Sequence, residues 1–217
     1  MSGRGRFITF EGPEGSGKST QLRLLGERLR GAGRDVLETQ EPGGTPIGVQ
    51  IRHVLLDSKN RELCPTAELL LMFASRAQNV DQLILPALAA GCTVLSDRFT
   101  DSTLVYQGVG RGLGADLVYE LDRIACRGLV PDLTLLIDID AETGLARAYR
   151  RGVRTGDPET HISETRIEEQ DIGFHHRVRD AYRQLAADEP ARVKLIDGSQ
   201  TREAVAEQVW RAVEPPP

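Results

Sequence analysis

The octapeptide Gly12-Pro-Glu-Gly-Ser-Gly-Lys18-Ser19 sets a lysine and a hydroxyl directly behind a glycine-rich turn. That spacing, G-x-x-x-x-G-K-[ST], is the phosphate-binding P-loop. Glycines let successive backbone N–H groups turn inward and cradle an anion. The N-terminus of the following helix adds partial positive charge. Lys18 then reaches the outer phosphates, and the Ser19 hydroxyl is a ligand for Mg²⁺. The flanks suit the motif. Arg6-Phe-Ile-Thr-Phe-Glu11 is an apolar run of strand type, and Gln21 to Arg30 has helical spacing and ends at Gly31. The residues predicted to hold ATP are Gly12, Pro13, Glu14, Gly15, Ser16, Gly17, Lys18, Ser19 and Thr20.

Asp97 follows the apolar run Thr93-Val-Leu-Ser96. A carboxylate at such a strand end, beside a P-loop, is placed to hold Mg²⁺ through water; the alternative is an acid that caps the next turn. Arg98 comes next. Its planar fork suits a bidentate phosphate clamp, against the alternative of a surface ion pair. Glu14 puts a carboxylate inside the P-loop, where it is costly beside phosphates. It is read as facing an acceptor's sugar or Mg²⁺, or else solvent. Arg76 sits among Leu69, Leu70, Met72, Phe73 and Ala74 and needs a partner: a buried carboxylate, a phosphate or a base. Ser102, Thr103, Tyr106 and Gln107 lie just past Asp97 and can supply hydrogen bonds to a base edge and a ring against a sugar. Arg147, Arg150, Arg151 and Arg154 form a basic run. Such a run is a solvated helix face or, next to a P-loop, part of a lid that brings arginines to the transferring group. Arg147 is placed with ATP, and the other three with catalysis. His175 and His176 read as helix surface, and no histidine pair has metal spacing.

These groups need a frame. The chain has 217 residues, 40% hydrophobic and 27% charged, enough for one compact domain over residues 1–217. The net charge of −5 argues against a nucleic-acid footprint. Cys64, Cys92 and Cys126 have neither disulfide nor zinc spacing, which points to a reducing cytoplasm. No apolar run is long enough to span a membrane, and the N-terminus lacks a signal-peptide pattern. Strands at 6–11, 35–39, 92–96, 133–137 and 192–196 alternate with helices at 17–31, 45–56, 66–90, 101–107, 115–127, 141–151, 167–187 and 201–212. Pro86 marks a kink, and residues 152–165 lack apolar periodicity. The alternation predicts an α/β fold with a parallel sheet covered on both faces. No Asn-Lys-x-Asp guanine-reading segment supports a nucleotide switch. A P-loop kinase for another nucleotide or a nucleoside is the nearer alternative.

Several segments together resemble the bacterial thymidylate kinase (dTMP kinase) family. They are Phe10–Thr20, Glu41-Pro-Gly-Gly-Thr45, Ala67–Gln78, Asp97–Gly108 and Pro131–Thr134. The resemblance spans nearly the whole chain, and Glu-Pro-Gly-Gly-Thr and Asp-Arg-Phe with Tyr-Gln-Gly are specific to the family. It implies a P-loop NTPase fold with a five-stranded parallel sheet, transfer of the γ-phosphoryl group of ATP to dTMP, Mg²⁺, a cytoplasmic homodimer packed through helices, and a lid at about 150–166. Carried over, Arg98 and Arg76 bind the dTMP phosphate and base, Thr103 and Gln107 contact thymine, and Tyr106 packs under the deoxyribose. Glu14 matches the carboxylate near the sugar 3′-hydroxyl. The P-loop lacks an arginine, so Arg150, Arg151 or Arg154 of the lid takes the catalytic role. Three positions depart from the pattern. Gln40 replaces an arginine. Met72 stands at the thymine-stacking phenylalanine, with Phe73 beside it. Thr165-Arg-Ile-Glu168 replaces the lid-exit Asp-Arg-Phe/Ile-Glu.

Overall fold

The computed structural model describes residues 4–155 and 165–214, with side chains for 4–150 and 165–214. In chain order the elements are β1 (Phe7–Glu11), α1 (Lys18–Gly31), β2 (Val36–Gln40), α2 (Pro46–Leu56) and α3 (Pro65–Asn79). Then come α4 (Leu85–Ala89), β3 (Thr93–Asp97), α5 (Thr100–Thr103), α6 (Ala115–Ala125), β4 (Leu133–Asp138), α7 (Ala141–Thr155), α8 (Ile172–Asp188), β5 (Val193–Asp197) and α9 (Arg202–Val213).

The five strands form one sheet in the order β2-β3-β1-β4-β5, and every pair is parallel. The connections are helical crossovers, as parallel pairing demands. All five residues of β1 are buried, the mark of a strand covered on both faces. Alternate side chains divide the core by the two-residue period of a strand. Ile8 and Phe10 pack with Leu22, Leu25 and Leu29 of α1 and Val205 and Val209 of α9. Phe7 packs with Leu69 and Phe73 of α3, Leu88 of α4 and Val118 of α6. Phe174, Val178 and Tyr182 of α8 close over Leu136 and Val193.

Register places the chemistry. Phe10 and Gln40 both lie opposite Asp97, and Glu11 opposite Leu136. The carboxyl ends of β1, β2, β3 and β4 therefore meet at one edge. The chain order reverses around β1 there, where ligand crevices of open α/β sheets form.

Several boundaries differ from those predicted. The single helix expected over 66–90 is α3 and α4 joined by a π-helical segment, Val80–Ile84. Pro86 lies in the first turn of α4. It lacks an N–H and crowds the carbonyl four residues back, so the wider turn before it relieves both constraints. The helix at 101–107 is one α-turn running into a second π-helical segment, Leu104–Gly110. The helix expected from Ile167 starts at Ile172, because the Asp171 side chain caps it by accepting from the Phe174 N–H at 2.9 Å. The helix expected to stop at Arg151 runs to Thr155. Most of the predicted lid, residues 156–164, lies outside the described residues.

Candidate active site

Glycine makes the P-loop possible by both freedom and space. Gly12, Gly15 and Gly17 have φ of 136°, 66° and 100°, a region that L side chains rarely adopt. A Cβ at Gly12 would stand 2.3 Å from the Ile137 carbonyl oxygen, and one at Gly15 would stand 2.0 Å from that of Gly144. The contact is reciprocal, since a Cβ at Gly144 would come within 2.4 Å of the Glu14 carbonyl. Helix α7, which carries the arginine run, is thus seated directly on the P-loop. Gly144→Ala is expected to cost about 2 kcal/mol by overpacking, a Tm loss of roughly 4–8 °C, and to raise the ATP KM. Thermal melts and donor kinetics of that variant check this; an unchanged Tm and KM would refute the close seating.

Lys18 folds back over the loop. Its Nζ donates to the carbonyls of Gly12 at 3.0 Å and Pro13 at 2.9 Å. Burial and the nearby Arg98 cation pull its pKa down to about 8, against the pull of Glu14 and Asp97. Ser16 is buried and Thr20 exposed. The Ser19 hydroxyl donates to Asp97 at 2.5 Å. Chain-distant oxygens are therefore paired where the strand ends meet the P-loop. No group of three or more His, Cys, Asp or Glu side chains gathers among the described residues. Two hard oxygen donors fit Mg²⁺, which keeps several waters and takes the rest of its shell from phosphates.

Arg98 has φ 75°, in the left-handed region. That costs a non-glycine residue on the order of 1–3 kcal/mol and persists only where the surroundings over-determine it. Here they do. The Arg98 N–H donates to the Phe10 carbonyl at 2.9 Å, the Arg98 carbonyl accepts from Ser96 Oγ at 2.7 Å, and the next N–H, of Phe99, donates to Glu11 at 2.7 Å. The guanidinium is thereby turned back toward the P-loop. Nη2 donates to Glu14 Oε1 at 2.9 Å and to Tyr106 Oη at 3.2 Å, and Nη1 to Ser102 Oγ at 2.9 Å and Tyr182 Oη at 3.1 Å. The cation also lies 4.8 Å from the centre of the Tyr106 ring.

Glu14 receives Arg98 and the Tyr106 hydroxyl, at 3.0 Å. Its side chain is only 16% exposed. Burial raises its pKa, but Arg98 and Lys18 outweigh burial and hold it at about 2. A folded pKa below the ordinary value of about 4.3 means stability present above that value and lost as pH falls toward 2. The Tm of the native chain should therefore drop more steeply between pH 5 and 3 than that of Glu14→Gln. Equal slopes in the two melts would show that the carboxylate is not ionised by its neighbours.

Arg76 is buried to 2% exposure on α3. Nε donates to Glu41 Oε2 at 2.6 Å and Nη2 to Thr103 Oγ1 at 2.9 Å. Asn79, one turn on, donates to the other Glu41 oxygen at 3.0 Å. Its Nη1 finds no partner among the described residues. The cation sits over Phe73, 4.9 Å from the ring centre. Phe73 is in the core, while Met72 is half-exposed. Gln107 gives its amide N–H to Glu68 Oε1 at 2.7 Å, and Glu68 also holds Arg111 and Arg166. Gln40, at the departure from the family pattern, is exposed.

The arginine run divides. Arg147 donates to the Gly198 carbonyl at 3.3 Å, and Arg150 is exposed on α7. The side chains of Arg151 and Arg154 lie outside the described residues. His175, expected at the surface, is buried to 2% exposure, because α8 turns that side onto the sheet; its neighbour His176 is exposed and pairs with Glu142 at 3.0 Å.

Residue-by-residue reading missed Glu11, Glu68, Asn79 and Tyr182. Two signals were available. Asn79 follows Arg76 at i,i+3, one helix face, and Glu11 stands at a strand's carboxyl end, where such sites gather. Glu68 lies in the segment Ala67–Gln78 that resembles the family but shows no local sign of its partners, and Tyr182 is a helix residue far from any motif.

A parallel sheet in this strand order, with a glycine cradle, a lysine and a serine–aspartate pair at the end of its central strand, defines a P-loop phosphotransferase. The comparisons narrow the class. The sequence pattern of the family described as thymidylate kinase matches residues 10–209. The chain is similar to thymidylate kinases of Nitratidesulfovibrio vulgaris (51% identity, covering 95% of each chain) and Geobacter sulfurreducens (50%, 94% of each). The crystal structure of thymidylate kinase from Ehrlichia chaffeensis superposes with a TM-score of 0.75 at 32% identity, over 97% of this chain and 99% of that one. The chain belongs to the thymidylate kinase family and is a kinase.

Proposed function

We propose that the protein transfers the γ-phosphoryl group of ATP to dTMP, giving dTDP and ADP. The observation that carries this reading is the placement of Arg98, a cation locked beside the P-loop and facing Glu14 and Tyr106. It supplies an acceptor-phosphate clamp next to a donor-phosphate cradle. The acceptor oxygen is already ionised, so it attacks the γ-phosphorus without a general base as the bond to ADP breaks. The protein's part is positioning and charge neutralisation.

Residues 12–20 hold the ATP phosphates, with Lys18 on the outer ones and Arg147 at the far side. Ser19 and Asp97 hold Mg²⁺, which when bound neutralises phosphate charge. Among the described residues Arg76 Nη1 is a buried donor without a partner, suited to a thymine carbonyl. Thr103, fixed by Arg76, and Gln107, fixed by Glu68, flank the base; half-exposed Met72 packs on it, and Phe73, under the Arg76 cation, supports Arg76. Tyr106 and Ser102 complete the sugar and phosphate side with Glu14. Arg150, Arg151 and Arg154 act from a lid at about 150–166, within one kinase domain. Packed helices α2, α3 and α6 expose Ile47, Val54, Leu70, Leu117 and Ile124, an apolar face suited to a homodimer. No helix among the described residues is long and apolar enough to cross a membrane, and three free cysteines suit a reducing cytoplasm.

The test is a coupled ADP-release assay with ATP, Mg²⁺ and dTMP, dUMP, UMP, CMP, AMP or GMP. Strong preference for dTMP is expected. Preference for another monophosphate would keep the kinase and overturn the pocket assignment.

A further inference from the structure

Glu11 is fully buried beneath the P-loop, and nothing in the phosphoryl-transfer scheme above uses it. Yet both its oxygens point at the Arg98 assembly. Oε1 accepts the Phe99 N–H at 2.7 Å. Oε2 accepts the Ser102 hydroxyl at 2.5 Å and the Tyr182 hydroxyl at 2.9 Å. Those two hydroxyl oxygens are also the acceptors for Arg98 Nη1.

A hydroxyl has one hydrogen. An ionised carboxylate only accepts, and the two hydroxyls also lie 2.7 Å from each other, so their two hydrogens are shared between that contact and Glu11 while each keeps a lone pair turned toward Arg98. We propose that Glu11 is a positioning residue for the acceptor clamp: it orients Ser102 and Tyr182 to receive the Arg98 guanidinium and pins the peptide after Arg98, so that the left-handed backbone aims the fork at the acceptor phosphate. The assignment rests on the Arg98 role given above. The elements involved are far apart in the chain, β1 for Glu11, α5 for Ser102 and α8 for Tyr182, so the sheet edge alone assembles them. Burial and the like charge of Asp101 raise the Glu11 pKa to about 7, against the opposing pull of Arg98 and the two hydroxyls, so the ionised, accept-only form prevails above that pH.

Glu11→Gln tests the direction of these bonds. An amide nitrogen placed at Oε2 donates, forcing both hydroxyls to accept from it and competing with Arg98 for their lone pairs. The acceptor KM should rise about tenfold, the worth of one charge-assisted hydrogen bond, while the ATP KM stays within about twofold. Tyr182→Phe should raise the acceptor KM by about threefold alone and by much less in the Glu11→Gln background, because both act on one hydroxyl. Multiplicative effects in the double variant, or equal rises in both KM values, would overturn the proposal and leave Glu11 a general scaffold residue. Where Glu11→Gln does not fold by circular dichroism, Tyr182→Phe decides alone, and an unchanged acceptor KM overturns it. Each variant is assayed with whichever monophosphate the native enzyme uses best. A failed dTMP reading then changes the acceptor and leaves this comparison intact.

Discussion

Lys18→Met is expected to lower kcat by about a thousandfold in the ADP-release assay, with the fold retained. In the proposed reaction Lys18 meets the β- and γ-phosphates as charge spreads over the transferring group. Removing one preorganised donor from such a site costs about 10²–10³ in rate, and a full positive charge stands at the upper end. The methionine keeps the aliphatic stem that fills the site. What it gives up in the ligand-free protein is two bonds to the Gly12 and Pro13 carbonyls. Those are local to the loop, so Tm should fall by only a few degrees. Turnover near the native rate in a folded Lys18→Met protein would refute the P-loop assignment.

Arg98→Ala is expected to raise the acceptor KM by about a hundredfold and to change the ATP KM little. Truncating one partner of a desolvated, hydrogen-bonded charge pair costs about 2–5 kcal/mol; 3 kcal/mol is roughly a hundredfold. Two costs combine. The acceptor phosphate loses its fork, and Glu14 loses the largest of the charges that hold it ionised. Arg98→Lys separates them. A lysine restores the charge near Glu14 as a single point but not the planar fork that spans Glu14, Tyr106, Ser102 and Tyr182. It should recover stability at pH 5 and only part of the acceptor affinity. An acceptor KM unchanged by Arg98→Ala would move the clamp to another cation, Arg76 or one of the lid arginines.

What could be read from the chain was the local chemistry. Gly12 to Ser19 identifies itself, because glycine's conformational range and the lysine and serine at fixed offsets act within one turn. Asp97 and Arg98 were legible as the polar pair ending an apolar strand, and Thr45 as a helix cap, accepting from the Gly48 N–H at 3.0 Å. Arg76 was legible as a cation in need of a partner, although the chain does not say that the partner is Glu41, 35 positions away. The helix-period pattern ran α3 through to Ala90 without a break, since π and α turns bury nearly the same residues. His175 was misread, while its neighbour His176 is exposed as expected, because helical periodicity alone does not say which side of α8 is covered.

The sequence by itself determined the alternating strands and helices, the anion cradle and the types of groups around it, because each depends on neighbours within a few residues. Tertiary structure decided where the charges point. Arg98 is left-handed because Phe10, Ser96 and Glu11 hold its backbone, and Glu11 meets Tyr182 across 171 positions of chain. Neither fact is written in a local pattern. Both follow from parallel pairing, which brings the carboxyl ends of β1 and β3 to one edge, and from α8, which packs on the neighbouring β4 and β5 and reaches Glu11 with Tyr182.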